Sequence, residues 1–365
     1  MARNFHRKPF DEGTRVKLGL FRDYTREWLP VWLSLARPNV PITVADFFAG
    51  PGEDSDGVPG SPLIALEELR QSSDLISQKR ATVRLLLNEA SRAKAENLRT
   101  TMEAQNIPSS LCRCDIQNLN FEDAFAAVYP ELSAGPNLLI LDQQGVKEIS
   151  DEVFKRILSL PRTDFLFFIA SSSIRRFERH PYFQKHLKIP KGAITSATFN
   201  DTHRAVTQYY RDLATSNGED YFLGSFSIKK GSNIYGLIFG SHHPLGLEKF
   251  LRICWKADPE RGEANFDIDD DRLDSGTPHL FAEMDQPRKL TMFQAAIRSK
   301  ILIGEHKTDR DIYLDTLQEG FLPSEGKAVL RELVKSGEVR VLGGQPRVSR
   351  LGYDDPRGLE VVADG

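Results

Sequence analysis

Val44-Ala45-Asp46-Phe47-Phe48-Ala49-Gly50-Pro51-Gly52 closes a short apolar run that begins at Ile42 and breaks into a glycine-proline bend. A run of this length, bounded by turn residues, is predicted to be a buried parallel strand followed by the turn that leaves it. Gly57, Pro59, Gly60 and Pro62 extend that turn up to a helix starting near Ser61. In an open α/β sheet a nucleoside lies across the carboxyl ends of the strands, so the first strand must deliver a bend whose backbone approaches the ligand closely. Glycine allows this because it lacks a Cβ and tolerates positive φ. The spacing departs from G-x-G-x-x-G, which argues for a nucleoside ligand without a pyrophosphate and against NAD. A tight turn with no ligand is the alternative reading of the same three residues.

Working outward, strands are predicted at 82–88, 110–114, 137–142 and 164–170, alternating with helices at 91–105, 121–129 and 151–158. Parallel strands need crossover connections, so this alternation implies a doubly wound, Rossmann-like α/β sheet with helices on both faces. An amphipathic helix over 14–35, carrying Leu20, Phe21, Tyr24, Trp28 and Leu29, precedes it. Two strands at 221–228 and 234–241 follow a helix around 203–216, and a further helix spans 245–257. The organisation read from these patterns is an N-terminal helical segment (1–40), the Rossmann-like domain (41–257), an acidic linker (258–287), a winged-helix-like domain (288–350) and a tail (351–365). The linker crowds Asp267, Asp269, Asp270, Asp271 and Asp274 together without the ligand spacing of an EF-hand. Three short helices and a wing with strands at 338–342 and 346–349 define the winged helix.

The second strand ends at Asn88-Glu89, the third is followed by Asp115, and the fourth ends at Asp142. Carboxylates at strand ends in a concave site cost desolvation unless something uses them. Glu89 is therefore expected to accept from ribose hydroxyls, Asp115 from an adenine exocyclic amine, and Asp46 to lie near the amino-acid portion of the ligand. Taken singly, each acid also reads as a helix cap.

The stretch from Asp46 to Gly52, followed by Asp56-Gly57-Val58-Pro59-Gly60-Ser61-Pro62-Leu63, resembles the three-Cys-motif partner (TcmP) family. Tyr24 and Trp28 in the first helix, the Asp142-Gln143-Gln144-Gly145 segment and Trp255 to Asp258 with Gly262 are similar as well. The resemblance implies a bacterial protein with an S-adenosylmethionine (SAM) methyltransferase fold, typically paired with a partner that carries three cysteines. In that reading Asp46, Phe48, Gly50, Gly52, Glu89 and Asp115 hold the cofactor, Phe48 offering a stacking ring. Asp142 and Gln144 are the candidate catalytic residues.

Amino-methyltransferases acting on bases carry Asp/Asn-Pro-Pro-aromatic at the position of Asp142. Here the acid stands without the prolines or the ring, so Gln143 either supplies amide contacts to the acceptor or sits in an exposed loop. Arg175 and Arg176, just after the fifth strand, are candidate phosphate contacts or members of a solvated loop. From Lys289 to Arg350 there are eleven Lys and Arg residues against eight carboxylates from Glu305 to Glu338, compatible with nucleic acid or with protein docking. Cys112, Cys114 and Cys254 cannot make a disulfide framework, no histidine pair has metal spacing, and no run reaches the length of a membrane helix. These features imply a cytoplasmic, metal-free protein, whereas the overall net charge of −3 is uninformative. The expected activity is methyl transfer from SAM to nucleic acid. The alternative is a non-catalytic SAM-binding adaptor that docks a partner or DNA through its winged helix.

Overall fold

The computed structural model describes residues 9–143, 148–216, 218, 221–270 and 288–362. In chain order the elements are α1 (Glu12–Ser34), β1 (Ile42–Asp46), α2 (Ser61–Gln71), α3 (Ser73–Lys79), β2 (Val83–Asn88), α4 (Arg92–Glu103), β3 (Arg113–Gln117), α5 (Phe121–Leu132), β4 (Asn137–Leu141), α6 (Asp151–Leu158), β5 (Thr163–Ile169), α7 (Ser171–Phe177), α8 (Pro181–His186), α9 (Thr202–Ser216), β6 (Phe222–Lys230), β7 (Asn233–Ser241) and α10 (Pro244–Ala257). They are followed by α11 (Arg288–Leu302), α12 (Asp309–Gln318), α13 (Pro323–Ser336), β8 (Val339–Val341), α14 (Arg350–Asp354) and β9 (Leu359–Val361).

The large sheet has the order β3-β2-β1-β4-β5-β7-β6. β1 pairs in parallel with β2 and β4, β2 with β3, and β4 with β5, whereas β7 runs antiparallel to β5. Strands β1, β2, β4 and β5 are buried along their whole length, which is why they read as continuous apolar runs without alternation. The chain builds outward from β1 to β3, then crosses back to β4. The crevice between the carboxyl ends of β1 and β4 is thus the topological switch point, where open α/β sheets bind ligands. In register, Asp46 stands beside Leu87 of β2 and Ile140 of β4.

Helix α1 is anchored to the amino end of β5. The Tyr24 hydroxyl donates to Asp164 Oδ2 at 2.6 Å, and its ring packs 4.8 Å from that of Phe239. Burial pushes the Asp164 carboxyl up to about 6, offset by hydrogen bonds from Ser241 and Tyr24. Toward the helix start, the Lys17 ammonium lies 5.0 Å from the ring centroid of Phe168, near the carboxyl end of the same strand. Seven helical residues rise about 10 Å and four strand residues about 13 Å, so α1 runs antiparallel along β5.

The chain divides into two compact units, and Phe222–Phe226 and everything from His243 onward fall in the second. Within that second unit Trp255 Nε1 donates to Gly320 O at 3.0 Å, the Tyr313 hydroxyl donates to Glu248 Oε2 at 2.7 Å, and Phe293 stacks on Phe321 at 4.3 Å. Helix α10 therefore packs against α12 and the turn that follows it. A capping box formed by Thr308 and Asp311 starts α12. The fully buried Asp309 accepts backbone N–H bonds from Arg347 and Arg357, both 2.8 Å, and so fixes the connections around the wing.

Two local expectations change. The third strand lies at Arg113–Gln117, later than 110–114. The second strand of the wing is β9 at Leu359–Val361, paired with β8, and 346–349 lead into α14. The described part of the acidic stretch is packed: Asp258 accepts from the N–H groups of Arg261, Glu263 and Ala264, and Arg261, 3% exposed, pairs with Glu260 and Asp267. Among the described residues no helix is long and apolar enough to cross a membrane.

Tyr24→Phe removes the donor that a buried carboxylate uses, which costs about 1–3 kcal/mol. The variant is expected to unfold at lower urea concentration at pH 7.5 with an unchanged m-value.

Candidate functional site

The carboxyl ends of β1, β2 and β3 are tied together by side-chain hydrogen bonds. Asn88, buried at the end of β2, donates through Nδ2 to Phe47 O and Leu119 O and accepts from Leu119 N–H, all at 3.2 Å. It thus ties the turn after β1 to the segment after β3. Gly50 and Gly52 adopt φ of 64° and 96°, where an L side chain is strained. A Cβ on Gly52 would also meet Thr101 Cγ2 of α4 at 3.0 Å. Gly60 N–H closes the loop onto Gly52 O at 2.8 Å, and inside it Asp54 accepts from the N–H groups of Phe10, Asp56 and Val58. The Glu89 carboxylate accepts from Gly50 N–H at 3.0 Å and from Ser91 N–H at 2.7 Å, so the acid expected to hold a ribose does sit on the bend.

Asp46 is 1% exposed. Its Oδ1 accepts from Phe48 N–H at 2.9 Å. Burial raises its pKa from 3.8 to about 7, with Asp142 adding to the rise and Ser61, the Phe48 N–H and Lys17 opposing it. Despite the nearness of Ser61, Oδ2 has no partner in hydrogen-bonding geometry. A buried carboxylate oxygen without a donor costs free energy that a bound cation or donor recovers. Asp142, just past β4, forms an ion pair with Lys17 of α1. Phe48 is half-buried, with its ring stacked on Phe121 at 5.2 Å and an interplanar angle of 19°.

The structure therefore gathers Asp46, Phe48, Gly50, Gly52 and Glu89 at one end of the sheet, with Asp142 linked to Asp46 electrostatically. Asp115 is not among them. Because β3 continues to Gln117, Asp115 lies inside the strand and is held by Arg84 Nε at 2.7 Å and Arg113 Nε at 2.8 Å. The residue at the carboxyl end is Gln117, whose buried Oε1 has no partner. Asn118 beside it donates to Glu89 O at 2.7 Å. An end placed three residues later in Asp115-Ile116-Gln117-Asn118 would have pointed to both.

Gln143 is 6% exposed and so does not lie in an exposed position: its Oε1 accepts from Ile149 N–H at 3.1 Å, and its buried Nε2 has no partner. Gln144 and Gly145 lie outside the described residues. Arg175 is a structural residue: its Nη1 donates to Ile194 O at 2.9 Å, Ala197 O at 2.8 Å and Thr198 O at 3.3 Å, which fills the fork expected for phosphate. Arg176 is exposed on α7. A cleft of about 510 Å³ opens elsewhere, between α6 and α9, lined among others by Asp151, Lys188 and Tyr209. Asp151 there already accepts from the Tyr209 hydroxyl at 2.6 Å and Lys188 N–H at 2.9 Å, and none of the sequence-chosen residues lines it. Volume and chemistry thus point to different places, and the unpartnered groups favour the strand ends. Among the described residues no cluster of three His, Cys, Asp or Glu is placed to hold a metal ion.

Sheet order and domain sequence define the class: a Rossmann-like, methyltransferase-type α/β fold with a C-terminal winged helix. More particularly, residues 267–344 match a family model described as a GMT-like wHTH domain. Similar solved structures include a methyltransferase domain of bacterial CtHen1 (9% identity, 61% of this chain and 100% of that one, TM-score 0.32). Human N-acetylserotonin methyltransferase in complex with SAM is another (14% identity, 62% of this chain and 55% of that one, TM-score 0.24). Likenesses of this degree bear on no individual residue. A search of curated proteins returns no match.

The raised Asp46 pKa has a signed consequence. The folded state favours the protonated acid, so its contribution to stability is fully present below about pH 4 and is lost as the pH rises through 7. Asp46→Asn cannot ionise. Melting curves from pH 4 to pH 8 are expected to show no advantage for the ligand-free variant at pH 4 and a growing advantage toward pH 8.

Proposed function

We propose that this protein is a SAM-dependent methyltransferase that binds its cofactor across the carboxyl ends of β1 to β4. The observation that carries the reading is the buried Asp46 with one oxygen unpartnered at the switch point of the sheet, beside a glycine bend held by Glu89. Asp46 accepts the cofactor's ammonium. Glu89 spends one lone-pair direction of each oxygen on backbone N–H groups, and the remaining directions accept the ribose hydroxyls. Gln117 Oε1 takes the exocyclic amine of adenine, the role expected of Asp115. The backbone of Gly50 and Gly52 admits the ligand where a side chain would block it.

Bound there, the cofactor supplies an electrophilic methyl group on a sulfonium. The protein's part is alignment and exclusion of water, so few reacting side chains are needed. Asp142 lies at the β1/β4 crevice, placed to orient an acceptor amine or hydroxyl and receive its proton.

The proposed acceptor is nucleic acid. Lys327, Arg331 and Lys335 recur every four residues along one face of α13, while Gly326, Val329, Leu330 and Leu333 on the other face are buried. A row of cations at helical spacing suits a phosphate backbone. The three-Cys-motif partner resemblance adds a second proposed associate, a protein carrying three cysteines. A non-catalytic SAM-binding adaptor is the second reading, favoured by a specific observation: Asp142 is already paired with Lys17.

Isothermal titration with S-adenosylhomocysteine is expected to show one site per chain in the wild type and at least a tenfold weaker site in Glu89→Ala, in keeping with charge-assisted hydrogen bonds. Tritium transfer from labelled SAM to total RNA or DNA separates the enzyme from the adaptor. Binding without transfer to any pool supports the adaptor.

Replacing Lys327, Arg331 and Lys335 together by Gln is expected to weaken nucleic-acid binding and flatten the log K against log salt slope by about 3, one per phosphate contact. An unchanged slope removes α13 from the interface.

A further inference from the structure

Lys17, in the second turn of α1, is a helix-borne group at the strand ends. The Tyr24 to Asp164 hydrogen bond fixes α1 along β5, and that placement carries the Lys17 ammonium to the carboxyl ends, above Phe168 and paired with Asp142. Lys17 also acts electrostatically on Asp46. Two acids and one base therefore share the switch point, and one of the acids keeps an empty, buried oxygen.

The amino-acid end of SAM carries one ammonium and one carboxylate. Set against this cluster, the ammonium meets Asp46, the carboxylate requires a cation, and Asp142 is the acid left over. The side chains of Lys17 and Asp142 are 20% and 39% exposed, so their pairing is partly open to water and is readily exchanged. Lys17 is the member of the cluster with a charge of the right sign on a flexible stem.

We propose that Lys17 binds the carboxylate of SAM, exchanging Asp142 for the cofactor, so that Asp142 becomes free for the acceptor only once the cofactor is in place. The proposal rests on the cofactor reading above and assigns a ligand for the one end of the molecule that reading leaves unpaired. It makes the N-terminal helix part of the binding site, and it implies that cofactor binds before acceptor.

The test compares SAM with decarboxylated SAM, which keeps the ammonium, sulfonium and adenosine but lacks the carboxylate. Titration calorimetry on the full chain is expected to show the wild type preferring SAM by about 10- to 100-fold, the usual weight of a charged hydrogen bond. Lys17→Met is expected to lose that preference while binding decarboxylated SAM within about threefold of wild type, and Lys17→Arg to restore most of it. Equal losses for both ligands in Lys17→Met, or no loss for either, overturn the proposal while leaving the cofactor reading intact. A wild type that binds both ligands equally overturns it without recourse to any variant. A wild type that binds neither removes the cofactor reading and this proposal with it.

Discussion

A carboxylate sealed at the end of a parallel strand, with one oxygen given to the next turn and the other given to nothing, is a local arrangement that folding alone does not favour. Asp46 occupies that position at the centre of the sheet, where β1 is flanked by β2 and β4. Its environment pushes it toward the neutral acid, and the surrounding groups divide between those that oppose and those that reinforce this. The geometry around it follows from the same demand: a bend of two glycines in left-handed conformation, a loop closed on Asp54, and Glu89 bonded across to Gly50. Asp46 Oδ2, Gln117 Oε1 and Gln143 Nε2 are thus buried without partners at the ends of β1, β3 and β4, beside hydrogen bonds that are satisfied.

Two other constraints position that point. Asn88 gathers the ends of three strands with a single amide, so the separation between the glycine bend and the segment after β3 is set by side-chain hydrogen bonds and not by loop packing alone. The Tyr24 hydroxyl does the same for α1. A helix pinned at the amino end of β5 and running back along it necessarily presents its first turns at the carboxyl ends, which is how a residue 125 positions away from Asp142 comes to touch it.

Much of this was legible in the chain. Continuous apolar runs at β1, β2, β4 and β5, the glycine-proline bend and the acid after Asn88 are local signals, because burial on both faces and positive φ restrict the residues allowed there. The third strand was misplaced because Arg113 and Asp115 are charged and partly exposed, so the apolar signal fell short of the strand that pairing with β2 imposes. That shift is what moved Asp115 out of the site. Arg175 and Gln143 show another limit: a long polar side chain reads as a surface contact, yet one folds over to collect the carbonyls of 194–198 and the other turns inward to Ile149. Neither choice is visible without the partners, which lie in segments lacking any periodic pattern. The wing was mistaken for similar reasons, since the connection between β8 and β9 holds α14 and is pinned by Asp309 from a different helix.

The contact between Lys17 and Asp142 bears on both functional readings in opposite ways. As a fixed staple it keeps the acid from any acceptor and leaves a binding protein whose cofactor end works and whose reacting end does not. As an exchangeable pair it makes acceptor recognition conditional on the cofactor, because the same ammonium cannot serve both anions at full strength. The difference turns on hydration. A pair sealed from water is held by the penalty of separating its charges, while a pair that water reaches is held weakly and yields to a better-placed anion. Lys17 and Asp142 retain enough exposure to belong to the second kind, whereas Asp46 is buried and forms no ion pair. Under the proposed exchange the buried acid is the fixed point of the site, and the partly exposed pair is the part that changes when the cofactor binds.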